Sequence, residues 1–135
     1  MPSPWDASIK LLYAVDQGTF FTLDDLALDA QFEVVANVEI GENLNEVVDS
    51  FVLRVGIRNL TTSETVSIQE LAAALAPQNN TPRREERKVP IPAGWAAAGG
   101  GSSVGDVLQA VASYKVVAGV NTDFSTAESD TFVVS

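Results

Sequence analysis

Carboxylates are the side chains of this sequence whose number and grouping could support chemistry: Asp24 with Asp25, Glu42 with Glu46, and Glu85 with Glu86. Two acids cleave a bond only when they converge on it and burial raises the pKa of one of them. These pairs fall in turns or on polar faces, where solvation keeps them ordinary, so no residue is assigned a catalytic role. His and Cys are absent. That removes the usual general base, the commonest metal ligand, disulfides, thiolate zinc sites and cysteine nucleophiles. Lys10, Lys88 and Lys115 are the remaining candidate bases. The run Gly99-Gly100-Gly101-Ser102-Ser103-Val104-Gly105 is glycine-rich but lacks the Gly-Lys-Ser/Thr ending of a phosphate cradle. It reads as a flexible loop.

Glu42, Asn43, Asn45, Glu46 and Asp49 offer hard oxygen ligands of the kind calcium takes. Their spacing departs from the known calcium loop, and Leu44, Val47 and Val48 interrupt it; a turn between strands accounts for the same residues. No metal and no cofactor are expected. Asn59-Leu60-Thr61 and Asn79-Asn80-Thr81 have the form of glycosylation acceptors. Both lie in predicted turns, where Asn also serves the backbone.

The elements that must position these residues are mostly strands. In the stretch of residues 32–40, Phe32, Val34, Ala36, Val38 and Ile40 alternate with Glu33, Asn37 and Glu39. A period of two marks a half-buried strand, because successive side chains point to opposite faces. Residues 51–58 repeat the pattern with Phe51, Leu53, Val55 and Ile57, and the polar run 59–63 then supplies a turn. In residues 107–118 both faces carry apolar groups, which predicts a central strand. Residues 124–134 run back, and their acids suit a sheet edge. Shorter candidates are 8–15, 64–67 and 88–91, with Pro90 and Pro92 confining the last to an edge or an irregular ladder.

Two places read as helix. Ser67-Ile68-Gln69-Glu70 has the capping-box form, and Ile68, Leu71, Ala72 and Leu75 mark one helical face before Pro77. The same residues also permit a continued strand. Thr22-Leu23-Asp24-Asp25 is positioned to start a second short helix before Ala30.

Strands separated by turns, with one or two short helices, predict an all-β, two-sheet sandwich of about seven to nine strands. The run Phe51-Val52-Leu53-Arg54-Val55-Gly56-Ile57-Arg58-Asn59-Leu60 resembles a strand and turn of immunoglobulin-like modules in bacterial surface and phage virion proteins. Val89-Pro90-Ile91-Pro92-Ala93-Gly94, leading to Gly105-Asp106 and a Tyr-bearing strand, is similar to their second half. The resemblance spans roughly residues 30 to 135 and implies structural or binding roles, with no catalytic residue carried across. It also brings to mind the Lys–Asn cross-link of some adhesin sandwiches, for which Lys115 and Asn37 are the candidates. On this reading residues 1–31 form an arm and first strand packing on the domain or on a neighbour, and residues 32–135 form the sandwich.

Charge is unevenly arranged. Of 18 acids and 8 bases, residues 1–50 hold ten acids and one Lys, whereas residues 51–100 hold four acids and six bases. Four bases cluster in Arg83-Arg84-Glu85-Glu86-Arg87-Lys88. A solvated loop with internal ion pairs is one account of that cluster. The sharper one is a basic edge that meets an acidic neighbour. Arg83, Arg84, Arg87, Lys88, Trp95 and Trp5 are accordingly the expected partner-binding residues, the aromatics because they are enriched where proteins meet.

The net charge of −10 argues against nucleic acid as a partner. No apolar run has the length of a membrane span, and the first residues lack the basic start and apolar stretch of a secretion signal. The expected function is a non-enzymatic structural or assembly module whose partner is a protein, including other copies of the chain. A virion or exported surface structure is the favoured location, with the cytoplasm the other. A carbohydrate- or small-ligand-binding sandwich is the alternative, with Trp5, Trp95 and Tyr13 as its aromatic platforms.

Overall fold

A computed structural model describes residues 6–98 and 101–135; Trp5 lies outside the described residues. The chain is a sandwich of two sheets. The described residues form nine strands: β1 (Ala7–Asp16), β2 (Asp25–Leu26), β3 (Phe32–Ile40), β4 (Ser50–Asn59), β5 (Glu64–Ala74), β6 (Arg83–Ile91), β7 (Val107–Ala118), β8 (Asn121–Glu128) and β9 (Phe132–Val134). Sheet A has the order β1-β3-β6. Sheet B has the order β2-β9-β7-β4-β5, with β8 also pairing β7. Among the described residues the only helical pieces are α1 (Glu42–Asn45) and a 3-10 turn at Trp95–Ala97.

Alternation sets the core. Phe32, Val34, Ala36, Val38 and Ile40 of β3 face Phe51, Leu53, Val55 and Ile57 of β4, and all nine are buried. The central β7 adds Leu108, Ala110, Ala112, Tyr114, Val116 and Ala118. Removing each large apolar side chain from water contributes about 1.5–3 kcal/mol, so three such strands can carry the fold without disulfides. Phe32 is the hub of one end, meeting the edges of Trp95 at 6.3 Å and Phe132 at 5.7 Å between ring centroids. β6 is an edge strand, as Pro90 requires, because that residue has no N–H to give to a second neighbour.

Both helical expectations give way to extended chain. Residues 68–74 continue β5, pairing Leu71 with Leu53 and Ala73 with Phe51. A helix there would leave this edge of β4 without its ladder partners. The Ser67 hydroxyl, instead of capping a helix, accepts from Gln69 Nε2 at 3.3 Å on the same strand face. Residues 22–30 hold the two-residue β2 and a turn in which Asp29 takes φ 62°.

The return strand breaks into β8 and β9. Ser129 is buried in the gap, its hydroxyl accepting from Ala110 N at 2.9 Å and donating to the Asp130 carbonyl at 2.8 Å. The break changes parity. Asp123, Ser125 and Ala127 are the more covered residues before it, and Phe132 and Val134 are the buried ones after it.

Candidate functional site

The two sheets are closed unequally at their edges. At one end of β1, Ala7 N donates to Asp123 Oδ2 at 2.6 Å and Ile9 N donates to Ser125 Oγ at 3.0 Å. Side chains of β8 thus stand in for a ladder partner. Beyond Ile9 a bulge shifts the register of β1, and on the other side the Ser129 break turns the chain. A bulge bends its strand. A groove of about 530 Å³ lies beside this stretch, lined among others by Lys10, Tyr13, Phe20, Thr22, Glu128 and Asp130.

The overhanging turn is held from several directions. Leu23 N donates to the Ala14 carbonyl at 2.9 Å, and Gly18 N to Glu33 Oε1 at 2.6 Å. Gly18 takes φ 76°, a conformation that favours glycine. Lys88 Nζ donates to the Thr19 carbonyl at 2.8 Å and stands 3.8 Å from the centre of the Phe20 ring. A cation over a ring face is attracted by its quadrupole. Phe20 is therefore fixed in place while 56% of it remains exposed. The Tyr13 hydroxyl has its pKa raised by burial and, secondarily, by Glu86.

The residues expected to meet a partner are mostly used within the domain. Arg83 donates to Asn45 Oδ1 at 2.9 Å, to Glu85 Oε1 at 2.9 Å and to the Ala76 carbonyl. Arg87 pairs with Glu85 and lies over the Phe51 ring at 4.5 Å. Arg83, Glu85 and Arg87 share one face of β6 with the buried Val89 and Ile91, and these long side chains fold over the open edge of the core. Lys88 faces the other way and serves the Phe20 turn, with Glu33 at 3.8 Å. Arg84 is 73% exposed, with Glu39 at 3.6 Å. Trp95 is a correction: it is 2% exposed and donates Nε1–H to the Ala30 carbonyl at 2.7 Å, so it is core and cannot serve as a platform. Asp29 Oδ1 secures the adjoining turn by accepting from Gly94 N and Ala96 N.

Other expectations resolve in the same way. Asn45 is fully buried and donates to Gln78 Oε1 and the Thr81 carbonyl, Glu46 accepts from Asn80 N, and Asp49 accepts from Gly119 N. These oxygens hold loops together, and no group of acids with metal-site geometry occurs among the described residues. Lys115 lies on the outer face of sheet B, 5.8 Å from the Phe124 ring, whereas Asn37 belongs to sheet A, so the two cannot cross-link. Asn59 is buried and its amide is committed to Ser102 Oγ and Asp106 Oδ2, which excludes glycan attachment in the folded state. Glu85 and Glu86 point to opposite faces of β6. No helix of the described residues is long and apolar enough to cross a membrane.

One motif escaped the sequence reading. Gly101-Ser102-Ser103-Val104-Gly105 has the G-x-S-x-G form, but it lies in the loop before β7 instead of a strand-to-helix turn. Ser103 N donates to Asp106 Oδ2 there, and the chain has no His to activate the hydroxyl.

No family model and no curated protein matches the chain. Solved structures do. A glycosyl hydrolase family 2 member from Bacteroides cellulosilyticus matches with a TM-score of 0.51 and 10% identity, over 95% of this chain and 15% of that one. A Paenibacillus cycloisomaltooligosaccharide glucanotransferase complexed with cycloisomaltoheptaose matches with a TM-score of 0.51 and 12% identity, over 96% of this chain and 14% of that one. The chain thus spans about one-seventh of the length of either enzyme. At this identity the likeness shows the sandwich fold alone.

Proposed function

We propose that this chain is a non-enzymatic β-sandwich module that binds carbohydrate in the groove beside β1, β8 and β9. The observation that carries the reading is Phe20: an exposed ring, held by Lys88 and a hydrogen-bonded turn, beside Lys10, Thr22, Glu128 and Asp130. A sugar presents C–H faces to an aromatic ring and hydroxyls to charged and polar groups, so a site for it needs both in reach. Because the ring is fixed before binding, little side-chain freedom is lost when a ligand stacks on it. The carbohydrate-active proteins among the structural neighbours support the same reading, one of them complexed with a cyclic oligosaccharide.

Calorimetric titration with a panel of neutral oligosaccharides, cycloisomaltooligosaccharide included, tests it. Phe20→Ala is expected to weaken binding by about tenfold, the equivalent of about 1.4 kcal/mol. Absence of binding across the panel, or equal binding by the variant, refutes it.

A second reading, an assembly module working through protein contacts, is favoured by β5. Among the described residues this strand pairs on one side only, and Ile68 and residues 72–74 are exposed on it. An apolar edge strand is a surface that another chain can extend. Light scattering across concentration and salt tests that reading, and a strict monomer under all conditions counts against it.

A further inference from the structure

Glycine in the middle of a paired strand is unfavourable unless a bend, a bulge or a close approach requires it. Gly56 sits inside β4 with Ile68 of β5 on one side and Val111 of β7 on the other. Its φ is not positive, and a Cβ there would meet Val111 Cγ2 at 3.4 Å and nothing nearer. Neither the backbone nor the packing of the domain demands a glycine here. Its effect is on the outer face of sheet B, where the missing side chain helps open a depression of about 690 Å³.

That depression is lined for charge and hydroxyl recognition. Arg54 and Arg58 flank Gly56 on the same strand face, and Thr65, Ser113 and Thr126 also line it. Arg54 holds Glu70 at 2.9 Å through Nη2 and retains further N–H donors. Arg58 makes no ion pair among the described residues. Ile68 supplies an exposed aliphatic wall. Glu128 lies across Val111, two strands from Gly56, and repels a second negative group at that end.

We propose that the Gly56 depression is a second ligand site, adjoining the Phe20 groove at Ala127 and Glu128 but built on β4 and β7, which takes a carboxylate-bearing oligosaccharide with its acid over Arg54 and Arg58 and its hydroxyls over Ser113 and Thr126. A guanidinium suits a carboxylate through parallel N–H donors. The main chains of β4 and β7 are paired on both sides here, so an extended peptide finds no free ladder to join. A sugar is recognised by its substituents, which is what a face of side chains offers. The glycine leaves space for the ring.

The test is calorimetric titration with trigalacturonate and, in parallel, the neutral galactose oligomer of the same length, at low salt. Expected results are at least tenfold tighter binding of the acidic oligomer, and at least tenfold loss in Gly56→Val and in Arg58→Gln. Phe20→Ala is expected to leave acidic-oligomer binding unchanged, which separates failure here from failure of the groove reading. Circular dichroism checks that Gly56→Val folds; should the contact with Val111 Cγ2 prevent it, Arg58→Gln with Gly56→Ser decides. Equal binding of acidic and neutral sugars, native affinity in the Gly56 and Arg58 variants, or equally strong competition by an acidic peptide of matched charge would each overturn the proposal.

Discussion

Raising the pH should destabilise this domain through one phenol. Tyr114 projects from the middle of β7 into the core, 5.9 Å from Phe51 between ring centroids. Burial pushes its pKa from the ordinary 10.0 up to about 12, although Arg87 and Arg83 pull the other way. The folded state therefore holds this proton more tightly than the unfolded chain does. The associated stability is intact below pH 10 and is lost as pH rises from about 10 to about 12. A shift of this size corresponds to about 3 kcal/mol. Domains of this kind are stable by about 5–15 kcal/mol, so the loss is a large share. Urea midpoints measured across that window, with tyrosinate absorbance recorded on the same samples, give both sides of the linkage. Tyr114→Phe keeps the ring and removes the titrating proton, so its stability should decline less steeply than that of the native chain. Tyr13 also has a raised pKa, and a parallel Tyr13→Phe assigns the optical steps. Identical alkaline slopes in native and Tyr114→Phe protein, or ionisation of the Tyr114 phenol near pH 10 with the fold intact, would refute the argument.

Asn59→Ala should lower stability by about 1–2 kcal/mol in urea unfolding, because it deletes a buried amide that accepts from Thr61 and Thr62 N and donates to Ser102 Oγ and Asp106 Oδ2. The same variant should raise the pKa of Asp106, which is lowered first by the Asn59 hydrogen bond and then by Ser103 N; carbon-detected titration of the carboxyl reads this, and an unmoved value contradicts the assignment. At Asp29, whose φ is 62°, both Gly and Ala lose the two bonds to Gly94 and Ala96, but only Ala also meets the left-handed penalty. Thermal unfolding should therefore rank native above Asp29→Gly above Asp29→Ala, the two variants differing by about 1 kcal/mol.

The long strands were legible because burial on one face writes itself directly as a period of two: β3, the core face of β4, and β7 all read correctly. β5 was ambiguous for a physical reason. Apolar residues at 68, 71, 72 and 75 fit a helical stripe, and the outward Ile68 and Ala72 have no core to explain them. Only the neighbouring β4 decides, by offering a ladder. The basic run 83–88 misled because an edge strand lets Arg and Glu occupy core-facing positions, their stems covering apolar surface while their heads pair at the rim. Trp95 reads as a loop residue from its glycine and alanine neighbours, and its burial depends on Phe32, more than sixty positions earlier. The groove is only partly visible in the sequence: Tyr13 reads as an aromatic platform, whereas the support of Phe20 by Lys88 joins distant parts of the chain. Gly56 carried a local signal, a glycine inside an alternating strand, which alternation alone does not interpret.

The charge imbalance along the sequence acquires a different meaning in space. Two acids of the acid-rich first segment lie on β3, beside the basic run on β6 in sheet A, where Glu39 meets Arg84 and Glu33 meets Lys88. Sequence asymmetry there becomes local neutralisation, and the basic run is largely spent before any partner arrives. On sheet B the neutralisation is only partial. Its outer face holds Arg54, Arg58 and Lys115, and β5 and β8 beside them contribute Glu70 and Glu128. Glu70 engages Arg54, and Glu128 stands two strands from Gly56. In a chain of net charge −10, an anion approaching at random is repelled, and it is held only where cations converge on space. Arg58 beside the Gly56 depression meets that condition. Raising the salt concentration should therefore weaken an acidic ligand at this face far more than a neutral one in the Phe20 groove.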